Sequence, residues 1–330
     1  MAKPKILVVG SFVMDQIATT SVFPRQGETV LGGKFSKAPG GKGANQAVQM
    51  ARLGADVTMI GKLGHDANGE DMIKTCKEAG INTDYVLYDD ELPSGCSVII
   101  LEETPGQQTA NRIIVLSGSN MSITPDDIAF LKEKIANYDL VVLQLEIPME
   151  INELVAAYAY EKGVPVMLNS APSAPLSDEL FSHLTYISPN EHEAYNMIGI
   201  KIEHDGKKVN MEQAKAATAA LKAKGVKNVL ITLGEAGAVL DTEKDGFFHS
   251  PCVDGIMAVD PTAAGDSFVG ALSVGLSCGW GYEETLRFAN HTAGLTVSAL
   301  GAMPSLPTLD KVEAFLNEKG CAVPDTSALK

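Results

Sequence analysis

Apolar residues in this chain fall into two recurring patterns. Short continuous runs stand at Ile6–Val9, Val57–Gly61, Leu140–Leu145, Pro165–Asn169, Tyr186–Ser188 and Val229–Leu233, as expected of strands covered on both faces. Between them, apolar residues recur at helical spacing over Ala44–Leu53, Gly69–Ala79, Pro125–Ala136, Ile151–Lys162, Met211–Lys224 and Thr285–Leu300. Several of these segments stop at a glycine (Gly54, Gly80, Gly163, Gly225), the residue favoured just past a helix C-terminus. The alternation predicts an α/β fold: a doubly wound, mostly parallel central sheet flanked by helices.

Residues 15–36 and 95–116 break that rhythm. Neither has a helical period, and strands are predicted at Gln16–Thr20, Thr29–Phe35, Ser97–Glu102 and Arg112–Leu116. Together they would form a small β-sheet lid over the C-terminal edge of the main sheet. The alternating apolar residues Ile99, Leu101, Ile113 and Val115 then need a cover, either substrate or a second subunit. Residues 1–320 read as one domain carrying this lid, and Cys321–Lys330 as a frayed tail.

Charge narrows the function. With 41 acidic against 26 basic residues, the net charge is −15, which disfavours nucleic acid or an anionic membrane as partner. An anionic nucleotide would need a local positive potential, which backbone N–H groups at a helix start can supply. The five cysteines (Cys76, Cys96, Cys252, Cys278, Cys321) are scattered without C-x-x-C, and the six histidines show no H-E-x-x-H. Disulfides and a zinc site are therefore not expected. No apolar run reaches membrane length, so a cytoplasmic protein is expected.

Four short stretches carry candidate chemistry. In Asp260-Pro261-Thr262-Ala263-Ala264-Gly265-Asp266-Ser267-Phe268, followed by small residues, the amides of Ala264, Gly265 and Asp266 would converge at a helix start and hold an anion. Asp266 beside that anion hole suits a general base taking a proton from an attacking alcohol, although an interaction with the helix dipole would also explain it. Gly40-Gly41-Lys42-Gly43-Ala44-Asn45-Gln46-Ala47 opens a helix; its glycines permit close approach of a polyhydroxylated ligand, or form a flexible turn. Asn190-Glu191-His192-Glu193 makes a capping box, or places hard oxygen ligands near Mg²⁺. Thr232-Leu233-Gly234-Glu235-Ala236-Gly237 ends a buried strand in a glycine-punctuated turn, which a hairpin explains equally well. Neither G-x-G-x-x-G nor G-x-x-x-x-G-K-[ST] occurs, which disfavours a Rossmann oxidoreductase and a P-loop.

In this order and over Ile6 to Phe315, these motifs resemble the PfkB family of carbohydrate kinases, most closely its members that act on ribose. The early motif matches at Gly41–Gly64 and the late one at Asp260–Ser273. The resemblance implies ATP-dependent phosphorylation of the primary (5-) hydroxyl of a pentose. It assigns Asp266 as base and the Ala264 and Gly265 amides as anion hole. Val13, Asp15, Gly41, Lys42, Asn45 and Glu146 would line the sugar site. Asn190, the turn Thr232, Leu233, Gly234, Glu235, Ala236 and Gly237, together with Gly265 and Asn290, would meet the nucleotide. Glu193 would act through Mg²⁺, and Asp260, Thr262, Thr296, Ala299, Gly301 and Ser305 would hold K⁺ or another monovalent cation. Family members commonly dimerise through the lid, so a homodimer is expected. Val13 stands where members acting on ribose usually carry Asn, and an apolar residue there resembles kinases for 2-deoxyribose. A catalytically silent sugar-binding protein on the same fold is the alternative of a different class.

Overall fold

The structure is a computed structural model that describes residues 2–102 and 110–330. Its strands are β1 (Lys5–Val9), β2 (Val13–Thr20), β3 (Phe35–Gly40), β4 (Asp56–Ile60), β5 (Lys62–Gly64), β6 (Leu87–Asp89), β7 (Cys96–Glu102) and β8 (Ala110–Leu116). They continue with β9 (Leu140–Gln144), β10 (Val166–Asn169), β11 (Tyr186–Ile187), β12 (His204–Asp205), β13 (Lys208–Val209), β14 (Asn228–Thr232), β15 (Ala238–Asp241) and β16 (Phe247–Ser250). The helices that matter most are α1 (Lys42–Arg52), α2 (Ala67–Glu78), α3 (Pro125–Ile128), α4 (Leu131–Lys134), α5 (Met149–Lys162), α6 (Asp178–His183), α7 (Glu191–Ile198), α8 (Met211–Lys222), α9 (Ala264–Ser277), α10 (Tyr282–Val297) and α11 (Leu309–Glu318).

The main sheet has eight strands in the order β16-β15-β14-β11-β10-β9-β1-β4. Strands β4 to β14 in that order are parallel, and β15 and β16 return antiparallel at one edge. Strand β1 shows why the runs are continuously apolar: Ile6 and Val8 enter the core on one face, Leu7 and Val9 the core on the other. The chain leaves β1 towards β4 on one side and later returns to β9 on the other. The resulting crevice, outside the carboxyl ends of β1 and β9, is where open α/β sheets hold their ligands.

The second sheet is the expected lid, in the order β3-β2-β7-β8. Strand β2 pairs antiparallel with β3 and parallel with β7, and β8 closes it antiparallel. Three expectations need correction. The strand placed at Thr29–Phe35 instead runs over Phe35–Gly40. Gly32-Gly33 interrupts the earlier run and turns there, with Gly33 N–H donating to the Thr19 carbonyl, and Leu31 is left 93% exposed. The single helix expected over Pro125–Ala136 is split into α3 and α4. The tail is not frayed, since Leu329 is 3% exposed and packs on the core. A Cβ at Gly54 would sit 2.1 Å from the Leu329 carbonyl oxygen, so that glycine (φ +99°) also makes room for the tail. Residues 103–109 of the expected lid segment lie outside the described residues.

Candidate active site

Helix α1 opens against the β1–β2 connection with almost no clearance. A Cβ at Gly41 (φ +93°) would lie 2.6 Å from Val13 N, and one at Gly43 2.5 Å from Ser11 N. These glycines therefore admit the chain's own backbone as closely as any ligand. The first-turn N–H groups, which have no intrahelical acceptor, find theirs here. Lys42 N–H donates to Glu146 Oε2 at 3.0 Å, Gly43 N–H to Ser11 Oγ at 3.3 Å and Ala44 N–H to the Ser11 carbonyl at 3.0 Å. Ser11 Oγ in turn donates to Glu146 Oε2 at 2.5 Å. Glu146, from the loop after β9, thus caps α1 across the crevice.

The partner of α1 is α9. A Cβ at Gly270 would approach Gln49 Cβ to 2.9 Å, so the absence of a side chain sets how closely the two helices pack. Ser267 Oγ also donates to Gln49 Oε1 at 3.0 Å. One turn earlier on each helix, that approach brings the buried Asp266 carboxylate between two amides. Asn45 Nδ2 donates to Asp266 Oδ2 and Gln46 Nε2 to Oδ1, both at 2.9 Å. Hydrogen bonds to an ionised acceptor are roughly twice as strong as neutral ones, and these two fix both oxygens of a carboxylate that is only 7% exposed.

Ahead of α9, Ala263 has φ +60°, the only positive φ at a non-glycine residue among the described residues. Such strained positions concentrate at functional sites. The Ala264 N–H, expected to serve the anion hole, is instead taken up in a turn on the Pro261 carbonyl at 3.2 Å. At Gly265 a Cβ would meet nothing within 4 Å, so the space before the first turn is open. A cleft of about 220 Å³ begins there, lined by Asp266, Gly265 and Ala264 on one side and by Lys42, Asn190, Glu193 and Thr232 on the others. Seven of the sequence-derived candidates therefore meet in one place.

Asn190 caps α7, its Oδ1 accepting from the His192 and Glu193 amides, while Glu193 Oε2 accepts from Asn190 N–H at 2.9 Å. The capping box is present, and Asn190 and Glu193 also line the cleft. The 232–237 turn is also a hairpin between β14 and β15. Leu233 and Ala236 are fully buried and offer only backbone. Gly237 packs against Ser250, whose oxygen would be 2.1 Å from an added Cβ, whereas Gly234 (φ +54°) has open space. Asn290 is not in the cleft lining; its Nδ2 ties α10 to Ser250 and Pro251. Asp260 accepts from Thr262 N–H, Thr262 Oγ1 and Gly301 N–H at 2.6–2.9 Å, stapling two loops. Burial works to raise its carboxyl, but these donors hold it below its ordinary value. Thr296 Oγ1 donates to Ser267 Oγ at 2.7 Å, and Ser305 Oγ to the Ala302 carbonyl at 2.7 Å.

Lys42 dominates the electrostatics. Burial would lower its ammonium, but Asp266, Glu146 and Glu193 outweigh that and raise it, so it stays charged. Burial raises the Glu193 carboxyl, with the Asn190 N–H and Lys42 pulling against it. Asp15, on β2 of the lid, is raised by burial, with Glu146 and Asp266 adding to the effect and Ser97 opposing it. Ser97 Oγ donates to Asp15 Oδ1 at 2.5 Å. Val13 is 6% exposed and pairs with Gly40 in the lid. The sequence reading missed Ser11, Gln46, Ser97, Gln144 and Asn169. Gln144 and Asn169 did carry a signal, as polar residues ending otherwise apolar parallel strands.

Fold and cleft together place the chain among α/β phosphotransferases. A family model described as pfkB family carbohydrate kinase matches residues 3–309, and the chain belongs to that family; it is a sugar kinase. A ribokinase of Bacillus subtilis is 38% identical over 313 residues, covering 94% of this chain and 99% of the relative. A deoxyribokinase of Salmonella typhi is 31% identical over 313 residues, covering 94% and 98%. The solved structure of Arabidopsis thaliana ribokinase complexed with ribose and ATP matches with a TM-score of 0.85 at 34% identity, covering 96% of this chain and 99% of that one. Among the described residues no helix is long and apolar enough to cross a membrane.

The Asp15 carboxyl supplies a direct check on these electrostatics. Because its pKa is raised, it takes up its proton at a higher pH than a free aspartate as the solution is acidified. Ser97→Ala removes the donor that favours the charged form, so the midpoint should rise further. Carboxyl ¹³C chemical shifts followed through a pH titration report it. A midpoint that falls or stays put in the variant contradicts the assignment.

Proposed function

We propose that the chain transfers the γ-phosphoryl group of ATP to the 5-hydroxyl of D-ribose. The observation that carries this reading is the Asp266 carboxylate, held by Asn45 and Gln46 at the start of α9, beside the open space at Gly265. Relatives named ribokinase support ribose as the acceptor.

In this reading Asp266 accepts the proton of the attacking hydroxyl while the oxygen forms its bond to the γ-phosphorus and ADP leaves. The Gly265 amide and the Lys42 ammonium stabilise the charge that accumulates on the transferring group. Asp15 and Asn45 hold the sugar, with Gly41, Val13 and Glu146 shaping that end of the crevice. Thr232, Asn190 and the 233–237 turn receive the nucleotide, with Asn290 on α10 holding Ser250 and Pro251, against which Gly237 packs. Mg²⁺ binds through one or two carboxylates and substrate phosphates; buried, cleft-lining Glu193 fits that requirement, and its oxygens would accept hydrogen bonds from the metal's waters. When bound, the metal neutralises phosphate charge. Asp260, Thr262, Thr296, Ala299, Gly301 and Ser305 form the reading's monovalent-cation site beside α9, and exchange of potassium for sodium should depress turnover. Equal rates in the two salts would remove that site. The reading includes a homodimer through the lid, because edge strand β8 exposes Ile113, Ile114, Val115 and Leu116 by 51–61% each. Sedimentation should give twice the mass of the 34.8 kDa chain; a monomer at working concentration would refute it.

Replacing Asp266 with Asn retains the shape and removes the base. Turnover should fall by about two to four orders of magnitude with ribose binding retained, measured by steady-state kinetics and calorimetry. Near wild-type turnover would show that Asp266 is not the base.

Val13 favours a second substrate. A site built to hydrogen-bond a hydroxyl penalises an analogue lacking it, and an apolar wall relaxes that penalty. For 2-deoxyribose, kcat/KM should lie within about tenfold of that for ribose, or above it, and Val13→Asn should shift the ratio towards ribose by about 1–2 kcal/mol. Strong ribose preference that Val13→Asn leaves unchanged would dispose of this role.

A further inference from the structure

We infer that Gln46 is a positioning residue for phosphoryl transfer, orienting the Asp266 carboxylate, and that the Gln144 amide braces Gln46 in the orientation Asp266 requires. The inference rests on Asp266 being the base.

Gln46 is fully buried on α1 and every polar atom of its side chain is engaged. Nε2 lies 2.9 Å from Asp266 Oδ1 and 3.1 Å from Asn169 Oδ1, and Oε1 accepts from Gln144 Nε2 at 2.7 Å. Chemistry leaves one arrangement of these amides. An ionised Asp266 can only accept, so Nε2 of Gln46 must face it. Asn169 Nδ2 donates to the Ser188 carbonyl at 2.8 Å, which turns its Oδ1 towards Gln46. Gln144 must then present Nε2 to Gln46 Oε1, and its own Oε1 is buried without a partner. That oxygen lies against Gly10, where an added Cβ would be 2.0 Å away. A side chain at Gly10 would therefore push Gln144 out of the line.

Asn45 is not equivalent. Its Nδ2 holds the other Asp266 oxygen, but its Oδ1 is buried and unpartnered. Asn45 has an acceptor free for a substrate hydroxyl, whereas Gln46 is bound at both ends of its amide. When Asn45 engages a ligand, Gln46 keeps the carboxylate fixed. The line Gly10–Gln144–Gln46–Asp266 thus links the end of β1 and the end of β9 to the start of α9.

Steady-state kinetics with ribose and ATP, ribose calorimetry and thermal melting on the full chain test the inference. Gln46→Met keeps length and packing but removes the amide. Its kcat should fall about tenfold to a hundredfold, the loss expected from a misaligned group, while ribose Kd moves by less than about threefold. In Gln144→Glu, assayed at a pH where the new carboxylate is ionised and can only accept, the Gln46 amide must turn over and present Oε1 to Asp266. Its kcat should fall similarly although neither Gln46 nor Asp266 has changed. Gln144→Met leaves Gln46 free to keep Nε2 on Asp266 and should retain most of the turnover. A residue that served only packing would tolerate Gln46→Met without kinetic loss. Wild-type kcat in Gln46→Met and Gln144→Glu, alongside a slow Asp266→Asn, would overturn the inference and leave the base in place. Wild-type kcat in all three would overturn both. A loss of ribose binding that matches the loss of kcat would also overturn it, making Gln46 a sugar ligand. Should one variant fail to fold, the other carries the test.

Discussion

A buried carboxylate cannot stay ionised without donors, and the way Asp266 obtains them organises the molecule. Removing such a charge from water costs several kcal/mol, and each hydrogen bond to it returns about 1.5–3 kcal/mol net. Two amide donors offset most of the cost, provided that α1 and α9 hold them in place. The helices can do so because Gly270 lets them touch, and α1 is in turn pressed on the β1–β2 connection through Gly41 and Gly43. The Asp266 carboxylate, its donors and the switch point of the sheet are therefore one mechanical unit.

The same unit concentrates negative charge. Asp15, Glu146, Glu193 and Asp266 all act on one another or on the single ammonium of Lys42. In a chain of net charge −15, a polyanionic nucleotide gains little from long-range attraction. Its binding free energy must come from local contacts, which the proposed function places at the open helix start of Gly265 and at Lys42. A lid strand contributes Asp15 from above, so lid and sheet are coupled electrically as well as by pairing.

Much of this could be read from residue order, and the exceptions have physical causes. The parallel strands were legible because burial on both faces demands uninterrupted apolar runs, and the helix ends because Gly54, Gly80, Gly163 and Gly225 all adopt positive φ. Asp266 and Asn45 stood out in their motifs. Gln46 stands beside Asn45 in the same motif, yet nothing in a one-dimensional pattern says that α9 approaches closely enough to use it. Ser97 was invisible for a similar reason: its role depends on the β2–β7 register that sets it opposite Asp15. The lid strand was misplaced because Thr29–Phe35 has strand composition, whereas pairing to β2 selects Phe35–Gly40. The tail was misjudged because its anchor, Leu329, acts through a long-range contact with Gly54.

The central claim is that this constellation moves a phosphoryl group onto the primary hydroxyl of a pentose. ³¹P NMR of the products formed from ribose and ATP tests it most directly. The account predicts ADP and, in equal amount, a phosphomonoester whose phosphorus couples to the two protons of C5. Inorganic phosphate in place of that ester, or an ester coupled to a ring proton, would contradict it.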